Sequence, residues 1–307
     1  MANKSDKLDN LDIQILSRLL NNCRESDRQI GKEVGISGGA VKSRIKKMMK
    51  KGAIEYFALK IEPPVLGYGI FYIVVSGRDS DEILQQVKLV GEPFLIVPCI
   101  GGVTVCGIVV KENVQQKIEL AKNLMKDVRV LTIFEAENPG VNSNLTKTDL
   151  EIVNELMKDP REKIEDIAKA TGLSTKTVTR SIEKLQSDEA IQFTLVYEPT
   201  KLEGYIPHAI LTWVTDELQI TLKRLEKEFT ENFLQRPFIA KNQIVLFMHS
   251  DNIFKLDELT QRVREVEGVG SADLFIPKRI TFPQKWIFNA IKEAQRSPTL
   301  HLMYQTH

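Results

Sequence analysis

The amino-acid sequence predicts an α+β protein: two tandem copies of a winged helix-turn-helix followed by a ferredoxin-like βαββαβ domain, plus a C-terminal helix. Three observations predict this architecture. Residues 8–72 match residues 145–209 at one constant offset, without a gap. Within each matched unit, two short capped helices are separated by a glycine and one apolar residue. After each unit, strand-like and helix-like segments alternate.

Identical residues at equivalent positions carry the repeat. Asp12 aligns with Asp149 and Gly35 with Gly172, and the same offset pairs the dipeptides Gly67-Tyr68 and Gly204-Tyr205. A constant offset over a whole supersecondary unit is not expected by chance. The chain therefore carries two copies of one device, and paired copies are a common way for proteins to read a double helix.

Each copy begins with a predicted helix-turn-helix. Leucine and isoleucine recur at spacings of three and four in residues 8–22, which is typical of an amphipathic helix. Ser26-Asp27 begins a short helix that Gly35 ends, and Ser37 caps a longer helix that Gly52 ends. Residues 53–61 and 190–198 are strand-like, so a small wing hairpin is expected after the third helix of each copy.

The remainder of each copy has the order βαββαβ. In the first copy the predicted strands are 70–77, 94–100, 103–110 and 128–134, with helices at 81–90 and 114–126. This order predicts an antiparallel sheet with two helices on one face. The two sheets are expected to pack face to face within one chain, or to exchange with a second chain.

These patterns set the expected domain boundaries, with residues 138–144 as the clearest linker because they are rich in Asn, Pro and Gly. The expected domains are 1–62 (winged helix-turn-helix 1), 63–140 (ferredoxin-like domain 1), 145–200 (winged helix-turn-helix 2), 201–281 (ferredoxin-like domain 2) and 282–307 (C-terminal amphipathic helix and tail). Residues 282–296 belong to neither repeat. They are expected to dock on the body of the protein, with a partner-binding surface as the alternative.

Composition excludes several classes of protein. Hydrophobic residues make up 42% and charged residues 27% of the 307 positions, as in ordinary globular proteins. No run of 18 apolar residues exists, so no membrane span is expected. Residues 1–12 lack the apolar core of a signal peptide, which predicts a cytoplasmic location. Three cysteines give no disulfide framework, and Cys99 and Cys106 have no histidine near them in sequence. No catalytic residue, metal or cofactor is expected.

The net charge of +1 hides an uneven distribution. Residues 1–60 hold 13 basic and 7 acidic residues, a net charge of +6, whereas residues 145–200 hold 8 and 11, a net charge of −3. Residues 37–51, the third helix of the first copy, contain six basic residues and no acidic one. Because phosphate neutralisation supplies much of DNA affinity, the first copy is predicted to bind DNA more strongly than the second.

The predicted DNA contacts lie on the polar faces of the two third helices, opposite their apolar stripes. In the first copy Lys42 and Ser43 are the expected base readers, and Lys46, Lys50 and Lys51 the expected phosphate contacts. The full predicted set is Ser37, Gly39, Lys42, Ser43, Lys46, Lys47, Lys50 and Lys51, with Thr175, Lys176, Thr179 and Arg180 in the second copy. Whether the second set reads DNA or serves as a scaffold is left open.

The motif LDxxDxxILxxLxxNxR at residues 8–24, followed by a helix-turn-helix and a βαββαβ unit, resembles the Lrp/AsnC (feast/famine) transcription regulators. The resemblance implies a sequence-specific DNA-binding regulator that is active as a fused pseudo-dimer and assembles as a homo-dimer or higher oligomer. It also implies a small-molecule effector, which in this family is an amino acid. The family's Gly-x-x-Asp signature is absent at residues 100–104 and 240–243, so the sequence names no particular effector.

Two alternatives remain at this point. Fused tandem chains of this kind also resemble sirohaem decarboxylases, tetrapyrrole enzymes that use the same modules with histidines and arginines on the sheets. Here His208 and His249 fall at the edges of predicted strands, and the first sheet has no histidine. The third possibility is an interaction scaffold that docks partners through residues 282–296.

Overall fold

The structure is a computed structural model that describes residues 7–77, 79–111, 113–125, 128–136 and 145–296. The predicted linker at 138–144 and the tail from residue 297 onward lie outside the described residues. Where the chain is described, no helix is both long and apolar enough to cross a membrane.

The first copy contains α1 (Asn10–Asn21), α2 (Asp27–Val34), α3 (Gly38–Lys50), β1 (Ile54–Ile61), β2 (Gly69–Ser76), α4 (Ser80–Val90), β3 (Glu92–Pro98), β4 (Val103–Val110), α5 (Val114–Leu124) and β5 (Arg129–Glu135). The second copy contains α6 (Lys147–Leu156), α7 (Ile164–Thr171), α8 (Thr175–Ser187), β6 (Ile191–Tyr197), β7 (Ile206–Val214), α9 (Leu218–Phe229), β8 (Phe233–Ala240), β9 (Gln243–Ser250), α10 (Ile253–Glu265) and β10 (Val269–Phe275). Helix α11 (Lys285–Arg296) follows.

Local side-chain chemistry sets the helix ends. Asp9, Ser26 and Thr146 each form a capping box with the residue three positions later, so that two backbone N–H groups are satisfied at once. Helices α2 and α7 end at Gly35 and Gly172, which adopt the left-handed conformation with φ of 77° and 70°.

The expected wing hairpins do not form. Strand β1 pairs with β6 of the other copy, antiparallel, with Phe57 opposite Leu195 and Ile61 opposite Ile191. The physical reason is that each copy offers a single strand here, because β1 is followed by a 3₁₀ turn at Pro63–Leu66. Its backbone groups need partners, and the equivalent strand of the other copy supplies them.

Each copy then forms one four-stranded antiparallel sheet. The strand orders are β3-β4-β2-β5 and β10-β7-β9-β8, which are equivalent under the repeat and correspond to the predicted ferredoxin-like arrangement. One face of the first sheet buries Phe71 and Ile73 against α4 and α5, and one face of the second buries Ile210 and Leu246 against α9 and α10.

The opposite faces of the two sheets pack on each other, so the predicted sheet-to-sheet contact within one chain is confirmed. Tyr72 takes part in this contact. Its ring stacks on Phe134 at 5.1 Å between centroids and meets Phe94 of its own sheet and Phe238 of the other sheet edge-on, at 5.6 and 5.3 Å. Gly107 makes room for this aromatic cluster, because a Cβ there would lie 2.6 Å from the Phe94 ring.

The C-terminal segment ties the second copy to the first. After β10 the chain runs along the edge of β3, where Ile96 and Thr281 exchange backbone hydrogen bonds of 2.9 and 3.0 Å. Helix α11 then packs on α6 and on β3, with Trp286 and Ile291 buried. The expected docking of this helix on the body of the protein is confirmed.

Candidate nucleic-acid interface

Helix α3 turns an apolar stripe inward and a basic face outward. Val41, Ile45 and Met48 are buried beneath the helix. Gly39, Lys42, Ser43, Lys46 and Lys50 are exposed on its outer side. Within the described part of the chain, the three exposed lysines form no ion pair. They present three unneutralised cations to solvent along one helix face.

The remaining predicted residues of α3 are placed differently. The Ser37 hydroxyl accepts a hydrogen bond of 3.2 Å from the Ala40 amide, which caps the helix. Lys47 is half-buried, and its Nζ lies 4.0 Å from Oδ2 of Asp12. Lys51, the C-terminal cap residue, is also half-buried.

Arg44 does not share the outer face of α3. Its Nη1 atom donates hydrogen bonds to Oδ1 of Asp12 at 2.7 Å and to Oδ1 of Asp9 at 2.8 Å. Burial opposes the charge of Asp9, yet the Asp12 amide and the Arg44 guanidinium outweigh it and lower the pKa of the Asp9 carboxyl. Two carboxylates at the start of α1 thus hold the Arg44 side chain against α1 and away from the outer face of α3.

Helices α2 and α3 approach closely because glycines line their contact. A Cβ at Gly31 would lie 2.5 Å from the Ile36 carbonyl oxygen, and one at Gly38 would lie 3.2 Å from the Cα of Arg28. The start of α3 therefore sits directly against the start of α2. The second copy has Ala168 and Thr175 at these two positions.

This contact places one further cation, Arg28, beside the start of α3. Arg28 and Lys32 lie on α2, are exposed, and form no ion pair in the described residues. Neither residue is among the DNA contacts predicted from the sequence, since those predictions lie on the third helices. The alignment of the two copies could have indicated Arg28, because it aligns with Glu165 and so contributes to the charge difference between the copies.

The second copy keeps an aspartate that binds side chains of its third helix, but it lacks most of the basic residues of the outer face. Asp149 takes the place of Asp12 and accepts hydrogen bonds from the Ser181 hydroxyl and, at 3.0 Å, from Lys184 Nζ. Burial alone would raise the pKa of Asp149, but these hydrogen bonds and that from Thr146 lower it. Helix α8 is held by the same principle as α3.

On the outer side of α8, Thr175, Lys176 and Arg180 are exposed, and Thr179 is half-buried. The position of Lys46 is occupied by Glu183, which is exposed, and that of Lys50 by Ser187. Glu165 and Asp166 stand in the first turn of α7. The second surface is therefore of mixed charge.

The two helix-turn-helix units also hold each other. Arg24 Nη1 donates a hydrogen bond of 2.8 Å to the Pro160 carbonyl oxygen, and Arg161 lies over the Phe57 ring at 4.8 Å. Arg161 also pairs with Asp27 at 3.4 Å. Because Arg24 and Arg161 are equivalent under the repeat, the contact has approximate two-fold symmetry.

The two described histidines lie on opposite faces of the second sheet. His208 is 3% exposed, and burial lowers its pKa to about 4. Its Nδ1 lies 3.0 Å from the Ile206 carbonyl oxygen, and its Nε2 is buried without a hydrogen-bond partner. His249 is half-buried and meets Tyr205 edge-on. In the described residues, no group of three or more His, Cys, Asp or Glu could hold a metal ion.

Comparison with protein families finds the AsnC-type helix-turn-helix domain twice, at residues 8–49 and 145–186. These ranges enclose α1 to α3 and α6 to α8, the two units described above. The class of protein that this defines is one with a duplicated AsnC-type helix-turn-helix.

Several curated proteins are similar in sequence to part of this chain. The chain is 38% identical over 88 residues to the HTH-type transcriptional regulator Ptr1 of Methanocaldococcus jannaschii, covering 28% of this chain and 60% of Ptr1. It is 35% identical to LrpA of Pyrococcus horikoshii (29% and 66%) and 33% identical to the regulatory protein AsnC of Escherichia coli (28% and 59%). The chain thus spans about 60% to 66% of the length of these relatives. The relatives are regulators of the Lrp/AsnC family.

Solved structures that align with this chain include an enzyme and a transcriptional regulator. The sirohaem decarboxylase NirDL aligns over 93% of this chain and 100% of its own, at 14% identity and a TM-score of 0.47. An AsnC family transcriptional regulator from Agrobacterium tumefaciens aligns over 45% of this chain and 97% of its own, at 21% identity and a TM-score of 0.30.

Proposed function

We propose that this protein is a sequence-specific, double-stranded-DNA-binding transcription regulator of the Lrp/AsnC type and not an enzyme. It acts as a fused pseudo-dimer in the cytoplasm, and two or more chains assemble as a homo-oligomer. The observation that carries the proposal is the outer face of α3, where Lys42, Lys46 and Lys50 are exposed without an acidic partner in the described residues.

On this proposal α3 lies in the major groove. Lys42, Ser43 and Gly39 stand in the N-terminal half of the helix, where helix-turn-helix proteins contact base edges. Lys46 and Lys50, further along the same face, contact phosphates and fix the register, with Lys47 and Lys51 at the margin. Ser37 shapes the helix start that carries these residues.

The second helix-turn-helix contributes less to the affinity for DNA. Thr175, Lys176, Thr179 and Arg180 contact DNA on this proposal, but Glu183 and Glu165 repel phosphates where the first copy has Lys46 and Arg28. Two helix-turn-helix units bound to one DNA duplex would occupy half-sites separated by roughly 10 bp or a multiple of that distance.

The test is a salt titration of DNA affinity. Fragments are first selected from a random library with the wild-type chain, and the best is used in a fluorescence-anisotropy assay. Replacing Lys42 and Lys46 together with alanine removes two positive charges, one at a proposed base contact and one at a proposed phosphate contact. The expected result is affinity at least about ten-fold weaker at low salt and a log–log salt slope lower by about 1 to 2.

The matched control is the double variant Lys176→Ala, Arg180→Ala, which removes the same charge from the second copy. We expect a smaller loss of affinity from this control than from the α3 variant. An unchanged salt slope in the Lys42, Lys46 variant would contradict the assignment of α3, and equal losses in both variants would contradict the asymmetry.

The enzyme alternative has a direct assay. The purified chain is incubated with sirohaem under reducing, anaerobic conditions, and the products are separated by mass. We expect sirohaem to be recovered unchanged, because burial lowers the pKa of both described histidines, His208 and His249, and so disfavours their proton-donating form. Loss of carbon dioxide from sirohaem would overturn the proposal that the chain is not an enzyme.

A further inference from the structure

A polar cleft of about 470 Å³ lies between the start of α1 and one end of the second sheet. Its lining combines an aromatic pair with amide and charged groups: Asn10, Tyr205, Asn232, His249, Asp251, Lys255, Glu258 and Arg262. The rings of Tyr205 and His249 meet edge-on, 5.7 Å apart. A neighbouring cavity of about 390 Å³ shares Tyr205 and Asp251 with it.

The first copy shows what stands in the equivalent place. Strand register pairs Gly69 with Val110 in the first sheet and Ile206 with Ser250 in the second. Tyr68 therefore corresponds to Tyr205, and Lys111, the residue after Val110, corresponds to Asp251. In the first copy the Lys111 ammonium lies over the Tyr68 ring, 5.3 Å from its centroid. In the second copy a carboxylate replaces that ammonium.

Helix α11 covers the space beside Tyr68 in the first copy. It leaves the equivalent space beside Tyr205 in the second copy open. Trp286 of α11 meets Tyr68 edge-on at 5.5 Å, and Glu293 pairs with Lys111. In the second copy α1 packs directly on β8, where the Arg236 amide donates to Oδ1 of Asn21. What remains beside Tyr205 has the size of a small-molecule site, not that of a helix.

The charges around Tyr205 favour a cation. Arg262 of the lining pairs with Glu228 at 3.1 Å and Lys255 with Asp251 at 2.7 Å, whereas Glu258 forms no ion pair in the described residues. Burial raises the pKa of Tyr205, and the carboxylates of Asp9, Asp251 and Asp12 raise it further. Several carboxylates therefore act on the space beside this ring.

We propose that this cleft binds a small organic amine, with its ammonium group over the face of the Tyr205 ring, where it shares the Asp251 carboxylate with Lys255. The ammonium takes the place that Lys111 Nζ occupies in the first copy, and cation–π attraction adds to the charge pair. Glu258 and the Asn10 and Asn232 amide oxygens accept further hydrogen bonds. The ligand then contacts α1 one residue from Asp9, which holds Arg44 of α3.

The experiment is isothermal titration calorimetry of the full chain, without DNA, at low ionic strength. The probe is 1,4-diaminobutane, and 1,4-butanediol is its uncharged counterpart. We expect the diamine to bind and the diol not to bind. Asp251→Asn should weaken diamine binding roughly ten-fold, and Asp251→Lys should abolish it by placing a lysine ammonium over Tyr205.

Asp216→Asn is the matched control, because Asp216, like Asp251, is an exposed carboxylate in an ion pair (with Arg224 and Lys255 respectively), but it lies beyond the opposite end of β7. This variant should bind the diamine as the wild type does. Absence of diamine binding to the wild type, equal binding of the diol, or equal affinity in Asp251→Asn and the wild type would each overturn the proposal. Since no DNA is present, the result is independent of the proposed regulatory function.

Discussion

Arg44 donates a hydrogen bond from Nη1 to Oδ1 of Asp12 at 2.7 Å, and the Asp12 side chain is completely buried. Asp12 lies on α1 and Arg44 on α3, so this pair joins the first helix of the helix-turn-helix unit to the third. The same position in the second copy is served by Ser181 and Lys184 on Asp149. In each copy a buried aspartate of the first helix thus binds side chains of the third helix.

Arg44→Met should therefore reduce stability without changing the phosphate contacts. The variant leaves a buried carboxylate short of its main partner, which costs about 1–3 kcal/mol of unfolding free energy for a pair that is partly exposed. The salt slope of DNA binding should stay at the wild-type value. Urea unfolding and the salt titration check the two parts. Lys46→Met is the control and should do the reverse, with stability unchanged and a lower salt slope.

Gly31→Ala should destabilise the first helix-turn-helix. The added methyl group would lie 2.5 Å from the Ile36 carbonyl oxygen, so α2 and α3 must separate, at a cost of about 1–3 kcal/mol. Gly39→Ala is the control in the same unit, because the nearest atom to its added Cβ is 3.9 Å away. It should raise stability by up to about 1 kcal/mol. A thermal melt of each variant measures both, and equal melting temperatures would contradict the close-approach argument.

His208 should make the protein less stable as the pH falls below 6.5. Its folded-state pKa is lowered to about 4, so the unfolded chain takes up a proton on this side chain in a range where the folded chain does not. The contribution is fully present above pH 6.5 and is lost between pH 6.5 and 4, amounting to up to about 3 kcal/mol. Urea unfolding from pH 7 to 4.5 measures it.

His208→Leu removes both this titration and the buried Nε2 atom that has no partner. The variant should therefore lose less stability than the wild type between pH 7 and 4.5. His249 is half-buried and its pKa is also lowered by burial, so some of the slope should remain. Parallel pH curves for wild type and His208→Leu would refute the assignment of the slope to His208.

Trp286→Ala should loosen the attachment of α11. Trp286 is buried against Tyr68 and the ring contact is lost, so we expect a cost of about 3–5 kcal/mol. Phe288→Ala, two positions along the same helix, should cost much less because that ring is 38% exposed. Limited proteolysis should release the C-terminal segment from the Trp286 variant first. Equal protection in both variants would contradict the docking role of Trp286.

Much of the fold follows from patterns local in the sequence. The constant offset, the capping residues Ser37 and Ser174, and the apolar stripe of Val41, Ile45 and Met48 are enough to define both helix-turn-helix units. The alternation of strand and helix segments likewise predicts each four-stranded sheet. The individual helices and strands depend on interactions between residues close in the chain, which is why sequence periodicity reveals them.

The site was only partly accessible to the same reasoning. Periodicity placed Lys42, Lys46 and Lys50 on the outer face of α3, where the structure has them exposed. It did not place Arg28 beside them, because Arg28 reaches this surface through contact between two helices. It also left Lys47 among the outward residues, although Asp12, on another helix, lies 4.0 Å from its ammonium group.

The sequence by itself determined the duplicated architecture, the asymmetry of charge between the copies and the basic face of α3. Tertiary structure alone decided that β1 pairs with β6 instead of forming a hairpin, that Asp12 anchors Arg44, and that α11 fills the position beside Tyr68 while the one beside Tyr205 stays open. The physical reason is that strand pairing and side-chain packing join residues far apart in the chain. Their partners are fixed by the geometry of the folded whole and not by local periodicity.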